Sequence, residues 1–457
     1  MLSAIQSLSD NWRKLAMFPV LALGALFLSR AISSGLYVFL LLPLFIGGVT
    51  FLFLKQMELF ILLILLWNHE LFYLLPNAVL GGKNFQGLDY VALFATGLWY
   101  FLRDKKPNDG TFNFAVIVLI FISMMAVLNS LFSGQPLLLG IKAAKSYFLI
   151  LFYFVFMARP INTKKLFKLV IITGVILTFL NNVQYLFMGK ITIFHYSVEM
   201  DRVGQLRFLI GDFFIIFAPI IAFGEYLKNK KKVYLLASLY MAITIILQGQ
   251  TRAVILGSMV TLFLLLYLAE KLSLAKAVIY GIPLLIILVL IIPLFQSTFL
   301  GELYELTKYE IRGGEGNVGV RLDAYDYYLR EALKSPLIGR GVWNAEFDIY
   351  MGDNPEDMRE RGLHLSDIGM TSLIFHMGLI GVLWLVWLLV RVYKRFFLSR
   401  RRIKEAIPYG LVGYFVFGLS TLLTLDCFLH QTVIIYLALV LALLTQSESI
   451  NQQNQTI

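Results

Sequence analysis

One cysteine, Cys427, occurs in the 457 residues, and a single thiol excludes an internal disulfide and any cysteine-cluster metal site. Charge is scarce too: Asp, Glu, Lys and Arg make up only 15% of the chain, against roughly a quarter in soluble domains. There is no Walker loop and no Rossmann glycine pattern, which removes the common nucleotide-binding folds. No small-residue cleavage site follows the first apolar run from Leu15, so a removable signal peptide is not expected. Long internal repeats are absent as well, and the polar residues 447–457 are expected to form a loose tail.

What fills the chain instead is apolar: 59% hydrophobic residues and a mean hydropathy of +0.77. Runs of roughly 17 to 25 apolar residues cross a bilayer, and inside lipid the backbone must satisfy its own hydrogen bonds, so runs this long and non-alternating read as helices. The expected fold is an all-α polytopic membrane protein with about 12–14 transmembrane helices and one large extracytoplasmic loop. Fourteen runs are read, at about 14–31, 35–54, 57–75, 87–102, 112–132, 136–158, 165–187, 207–227, 232–248, 252–270, 273–296, 368–394, 406–424 and 429–446. The third holds Asn68, His69 and Glu70 and reads equally as an interfacial segment.

The pI near 9.4 would suggest a nucleic-acid partner in a soluble protein. Here the basic residues fall between apolar runs, at Arg13-Lys14, Lys55, Arg103 to Lys106, Arg159 to Lys165, Lys228 to Lys232, Lys271 with Lys276, and Arg395 to Lys404. By parity all lie on one side, which the preference of positive charge for the cytoplasm makes the inner one. No nucleic acid is expected, and membrane lipids are. Both termini are then cytoplasmic, and the opposite face carries residues 188–206, the turn Gln248 to Arg252, the long loop 297–367, and Asp426 to His430. Three parts follow: helices in 1–296, the loop 297–367, and helices with a polar tail in 368–457.

The loop is the one long polar stretch. It holds fourteen of the 28 acids but only eight of the 39 basic residues, so it is negative while the rest of the chain is strongly positive. Val320, Ala324, Tyr327, Tyr328 and Leu333 recur at helical spacing and Ser335-Pro336 ends the run. That spacing places Arg321 in a first turn, where free amides and the helix dipole favour an anion. A short helix is expected to open at Asn354-Pro355, and Ser366 or Asp367 reads as the cap of the membrane helix after His364.

Arg252, in Gln248-Gly-Gln-Thr-Arg-Ala253, reads either as an interfacial anchor or as a phosphate ligand, since guanidinium offers paired donors and keeps its charge when partly desolvated. Arg321 reads as a surface ion pair with a loop acid or as a second such ligand. Arg202, in Asp201-Arg-Val-Gly204, carries a weaker signal of the same kind. Lys142 and Lys145 lie inside a membrane run, where cations are costly, and stand as further anion contacts or as a buried pair with a neighbouring polar group. His364 is a surface histidine or a general base, because imidazole titrates near neutrality and takes a proton from an attacking hydroxyl. His376 reads as a packing residue, and His195 and His430 have no motif around them. Tyr325 and Tyr328 read as sugar-stacking rings or ordinary packing. No metal constellation emerges, and no cofactor is expected.

Taken in order, Arg202-Val-Gly204, Gln250-Thr-Arg-Ala-Val-Ile-Leu-Gly257, Arg321 to Leu333 with Ser335-Pro-Leu-Ile-Gly-Arg-Gly341, and His364-Leu-Ser-Asp367 with Gly378-Leu-Ile-Gly381 resemble the O-antigen ligase and polymerase superfamily of membrane glycosyltransferases. The chain departs from the family pattern in lacking Pro-Asn after Arg202-Val-Gly204 and in carrying Leu365 after the histidine. The resemblance implies a GT-C-like fold and metal-independent, inverting transfer of a glycan from an undecaprenyl-diphosphate carrier to an acceptor hydroxyl. It implies a site on the outer face of a bacterial cytoplasmic (inner) membrane, with Arg252 and Arg321 on the diphosphate and His364 essential. The implied partners are an undecaprenyl-diphosphate-linked oligosaccharide and a glycan or lipid A core acceptor, with a chain-length regulator where the enzyme is a polymerase. Polymerase is preferred to ligase, because the acidic loop offers no basic surface for the phosphates of a lipopolysaccharide core. A lipid-linked oligosaccharide flippase or transporter is the rival class, but it would more typically show repeated halves and short loops.

Overall fold

The computed structural model describes residues 37–74, 87–101, 110–188, 190–195, 199–200, 206–207, 212–249, 252–269, 317–344, 363, 365–394, 408–425, 428–430 and 432–455. The runs expected at 14–31 and 273–296, and the short helix at Asn354-Pro355, lie outside these residues. The described elements are α1 (Tyr37–Lys55), α2 (Met57–Asn68), α3 (Gly87–Phe101), α4 (Asn113–Phe132), α5 (Leu137–Phe148), α6 (Phe152–Met157) and α7 (Thr163–Leu186), then strands β1 (Glu199–Met200) and β2 (Leu206–Arg207). They continue with α8 (Asp212–Asn229), α9 (Lys232–Thr244), a π-turn at Ile245–Gly249, α10 (Arg252–Leu268), α11 (Asn317–Leu333), α12 (Met370–Val392), α13 (Tyr409–Thr421) and α14 (Ile434–Gln455). The protein is an all-α polytopic membrane protein. Four spans are long and apolar enough to cross a bilayer among the described residues: α4, Leu137–Met157 through α5 and α6, α7 and α12.

Packing follows from which helices are apolar all round. Every residue of α14 from Ile434 to Leu444 is buried, as are Phe213 to Phe223 of α8 and Tyr409 to Gly418 of α13. Helices without a polar stripe belong at the centre. Around them α4, α9 and α12 turn large apolar side chains outward, among them Phe121, Leu236 and Leu383, as lipid-facing helices do. Within lipid, association relies on close packing rather than on escape from water. At the α8–α13 crossing a Cβ on Gly224 would stand 2.3 Å from the Gly410 nitrogen, so only glycine permits that approach.

Charge fixes the end opposite the loop. Asn162 caps α7 by accepting from the Lys165 amide at 3.1 Å, and Lys165 reaches Glu58 of α2 at 3.0 Å. Glu58 also accepts from the Asn162 amide, which ties the starts of two helices together.

Three boundaries differ from expectation. α2 stops at Asn68, and Glu70 to Tyr73 form a tight turn with positive φ, so the third run does not continue to 75. α12 is capped by neither Ser366 nor Asp367, because Leu365–Asp367 close a separate 3-10 turn and the helix begins after Gly369. Gly369, at φ +46°, sits against α13, and the Met370 amide donates to the Leu422 carbonyl at 2.9 Å; this long-range bond sets the start. The expected loose tail is helical to Gln455, since nothing between Ser447 and Gln455 breaks a helix and Gln446 is anchored to the carbonyls of Phe156 and Arg159.

α12 is itself broken at Gly378, whose φ of +63° interrupts the ladder. A break in a membrane helix frees backbone groups that need partners. The segment after α11 supplies them: Leu379 and Ile380 donate to the carbonyls of Pro336 and Leu337 at 2.9 and 3.1 Å, and the Arg340 amide donates to the Phe375 carbonyl at 2.7 Å. On the other side, Asn129 donates to the Gly339 carbonyl, Gln135 donates to the Val342 carbonyl, and Gln135 accepts from the Asn344 amide, all within 2.9 Å. Residues 335–344 are thereby clamped between α4 and the break in α12.

Candidate functional site

α11 presents Ala324 and Tyr328 to a small apolar cluster with Leu363, Ile368 and Phe375. The Tyr328 hydroxyl donates to the Leu363 carbonyl at 3.1 Å, and its ring meets Phe375 edge-on. Residues on both sides of position 364 are thus packed on α11, although His364 itself lies outside the described residues. Tyr328 is a packing ring, and Tyr325 donates to the carbonyl of Leu423, just past the end of α13. Burial pushes the Tyr325 phenol up, while the Arg321 guanidinium beside it pulls the other way.

Arg321 is the fifth residue of α11, one turn further in than the sequence suggests, so its placement owes nothing to free first-turn amides. Its Nη2 lies 4.0 Å from Asp367 Oδ2, with 31% of the arginine side chain and 44% of the aspartate exposed. A half-solvated pair at that distance contributes about 0 to 1 kcal/mol. The Nε of Arg321 is buried and has no hydrogen-bond partner. The site therefore holds a guanidinium with a donor unspent, beside Asp367, which lies three residues along the chain from His364.

The end of α13 joins this group to the start of α10. A Cβ on Gly257 of α10 would stand 2.5 Å from the Thr421 side chain, and Ser420 reaches the Gly257 carbonyl at 3.5 Å. Arg252 opens α10 five residues earlier, about 7.5 Å along the axis. Its backbone thus stands at the same end of the bundle as Leu422 and Leu423, which receive Met370 and Tyr325; its side chain lies outside the described residues. Strand β2 lies against the π-turn that precedes α10, and pairs with β1 in the register Glu199↔Arg207 and Met200↔Leu206. Arg202 belongs to the connection between the two strands and is itself outside the described residues.

Both lysines lie on α5. The Lys145 ammonium lies 5.9 Å from the Tyr90 ring centre on α3, and Lys142 is exposed on α5. His376 shares a 3.1 Å hydrogen bond with the Tyr147 hydroxyl inside the bundle, which accords with its reading as a packing residue. Sequence reasoning did not find the clamp residues Asn129 and Gln135, nor the pairing of Arg340 with Glu331 at 3.5 Å. Their partners lie up to 210 positions away, so no local pattern announces them. Among the described residues no cluster of three or more His, Cys, Asp or Glu could hold a metal ion.

The fold defines an all-α membrane protein in which the helix α11 brings an arginine with an unspent donor to the end of the bundle. Residues 236–386, from α9 into α12, match the model of the O-antigen ligase family. No curated protein matches the chain. The family match supports glycan transfer of the ligase or polymerase type.

Proposed function

We propose that the protein transfers a glycan from an undecaprenyl-diphosphate carrier to a sugar hydroxyl at the outer face of the bacterial inner membrane, and that it polymerises repeat units of a surface polysaccharide. Diphosphate is already a good leaving group. The protein's tasks are to stabilise its growing charge, orient the anomeric carbon and deprotonate the nucleophile. Arg321 and Arg252 take the diphosphate, with Arg202, Lys142 and Lys145 as second-tier anion contacts. His364 takes the proton from the acceptor hydroxyl, which attacks from the face opposite the diphosphate and inverts the anomeric centre. Two guanidinium groups carry the charge that a metal ion would otherwise balance.

The observation that supports this reading most is the unspent Nε of Arg321, held against the turn that follows His364. Replacing His364 by Ala in protein reconstituted with lipid-linked repeat units is expected to abolish transfer while the melting temperature stays at the wild-type value. Near-normal turnover would remove the base assignment. The ligase alternative, with a lipid A core as acceptor, is favoured by the description of the matched family. Supplied only with lipid-linked repeats, a polymerase makes a ladder of lengths and a ligase makes none.

A further inference from the structure

Three polar side chains that the mechanism above does not use lie near the start of α10. Asn181, on α7, is 0% exposed, and neither its Oδ1 nor its Nδ2 has a hydrogen-bond partner. Thr178, less than one turn earlier on the same face, is also 0% exposed with an unpartnered hydroxyl. Gln248, in the π-turn four residues before Arg252, is 3% exposed and its Oε1 is unpartnered.

Gly174 fixes where these groups sit. A Cβ there would meet Ala218 of α8 and Met241 of α9. Asn181 lies seven residues beyond Gly174 and therefore on the same face, about 10 Å nearer the loop end. Gln248 lies the same seven residues beyond Met241, which brings it level with Asn181. The Gln248 amide is held in place: its Nε2 donates to Asn182 Oδ1 at 2.7 Å, and Asn182 in turn donates to Tyr240 and Thr244 at 2.9 and 3.2 Å. Its carbonyl oxygen is what remains to be used.

Buried polar atoms are nearly always hydrogen-bonded, so several idle ones in one place mark a missing partner. The group carries no charge and offers both donors and acceptors. A diphosphate, which only accepts, would face the amide oxygens of Asn181 and Gln248 unfavourably. A cation would leave Asn181 Nδ2 opposed. Sugar hydroxyls, which donate and accept, suit all three. We propose that Thr178, Asn181 and Gln248 form a subsite for a neutral, hydroxyl-bearing sugar of the lipid-linked substrate, beside the diphosphate contacts of Arg252; this rests on the glycan-transfer reading above.

The test uses the full-length protein in nanodiscs and two probes: undecaprenyl diphosphate alone, and the same carrier bearing a single repeat unit. Wild type is expected to bind the glycosylated carrier more tightly. Asn181→Leu and Thr178→Val are expected to weaken binding of the glycosylated carrier by about tenfold each, the worth of roughly one hydrogen bond, and to leave the bare carrier unchanged. Arg321→Ala should weaken both. Because Asn181 loses no intramolecular hydrogen bond when replaced, the melting temperature of the ligand-free Asn181→Leu protein is expected to hold or rise. A fall in that temperature, unchanged binding of the glycosylated carrier, or equal weakening of both probes would overturn the subsite. Wild-type protein that binds neither probe would overturn the glycan-transfer reading as well.

Discussion

The two ends of α11 are held by opposite means. At its C-terminal end Glu331, 9% exposed, gathers both Lys334 and Arg340, and residues 335–344 pass into the clamp between α4 and α12. At its N-terminal end Arg321 has one distant, half-solvated partner and an idle donor. The C-terminal end is fixed by the clamp, although Glu331 Oε2 and Arg340 Nε there are buried without a hydrogen-bond partner just as Arg321 Nε is; the N-terminal end has no such clamp among the described residues. In the mechanism proposed above, the clamp is what would steady Arg321, since a donor acts on a transition state only when its support does not move.

The comparison breaks first at the clamp. Gly378→Val places a Cβ about 2.4 Å from the Gly339 nitrogen at a φ of +63°. It is expected to cost several kcal/mol, on the order of 3 or more, from strain and overlap together. A large drop in melting temperature and in membrane-inserted yield is the readout; wild-type stability would mean that the break in α12 is not needed. Arg321→Ala comes next. It should lower the transfer rate by about 10²-fold, with Arg321→Lys in between, because a point charge cannot reproduce the paired donors. Melting should be unchanged, and a steady-state assay on reconstituted protein separates the two effects.

Smaller changes sharpen the contrast. Gln135→Ala leaves the Val342 carbonyl and the Asn344 amide without their partners in a buried place, and is expected to destabilise by about 1–3 kcal/mol. Activity should fall only in step with stability, which a denaturation curve beside a rate measurement would show. Asp367→Asn should alter stability by less than about 1 kcal/mol, as befits a half-exposed pair. If instead it destabilises as much as Gln135→Ala, the N-terminal end of α11 is as tightly held as the other.

Much of the fold is legible in the residues. Long apolar runs separated by basic clusters place α1 to α10, and α12 to α14, to within a few residues at most ends. The misplaced boundaries share a cause. Ser366 and Asp367 look like caps, but the start of α12 is set by Leu422, a carbonyl over fifty positions away. The polar tail looks loose, but Gln446 is tied to the end of α6. For the site, Arg321 and the residues flanking position 364 do come together, which spacing alone suggested only through family likeness. The break at Gly378 and the polar group on α7 were not readable, because each depends on partners brought by folding.

The bond pattern at Gly378 also constrains how such proteins can be recombined. Since residues 336–340 complete the backbone of α12, a chimera that imports the acidic loop from a relative while keeping its own 375–380 joins two halves of one hydrogen-bonded unit that were never matched. Loop swaps should therefore carry both stretches together, with Asn129 and Gln135, as a single cassette.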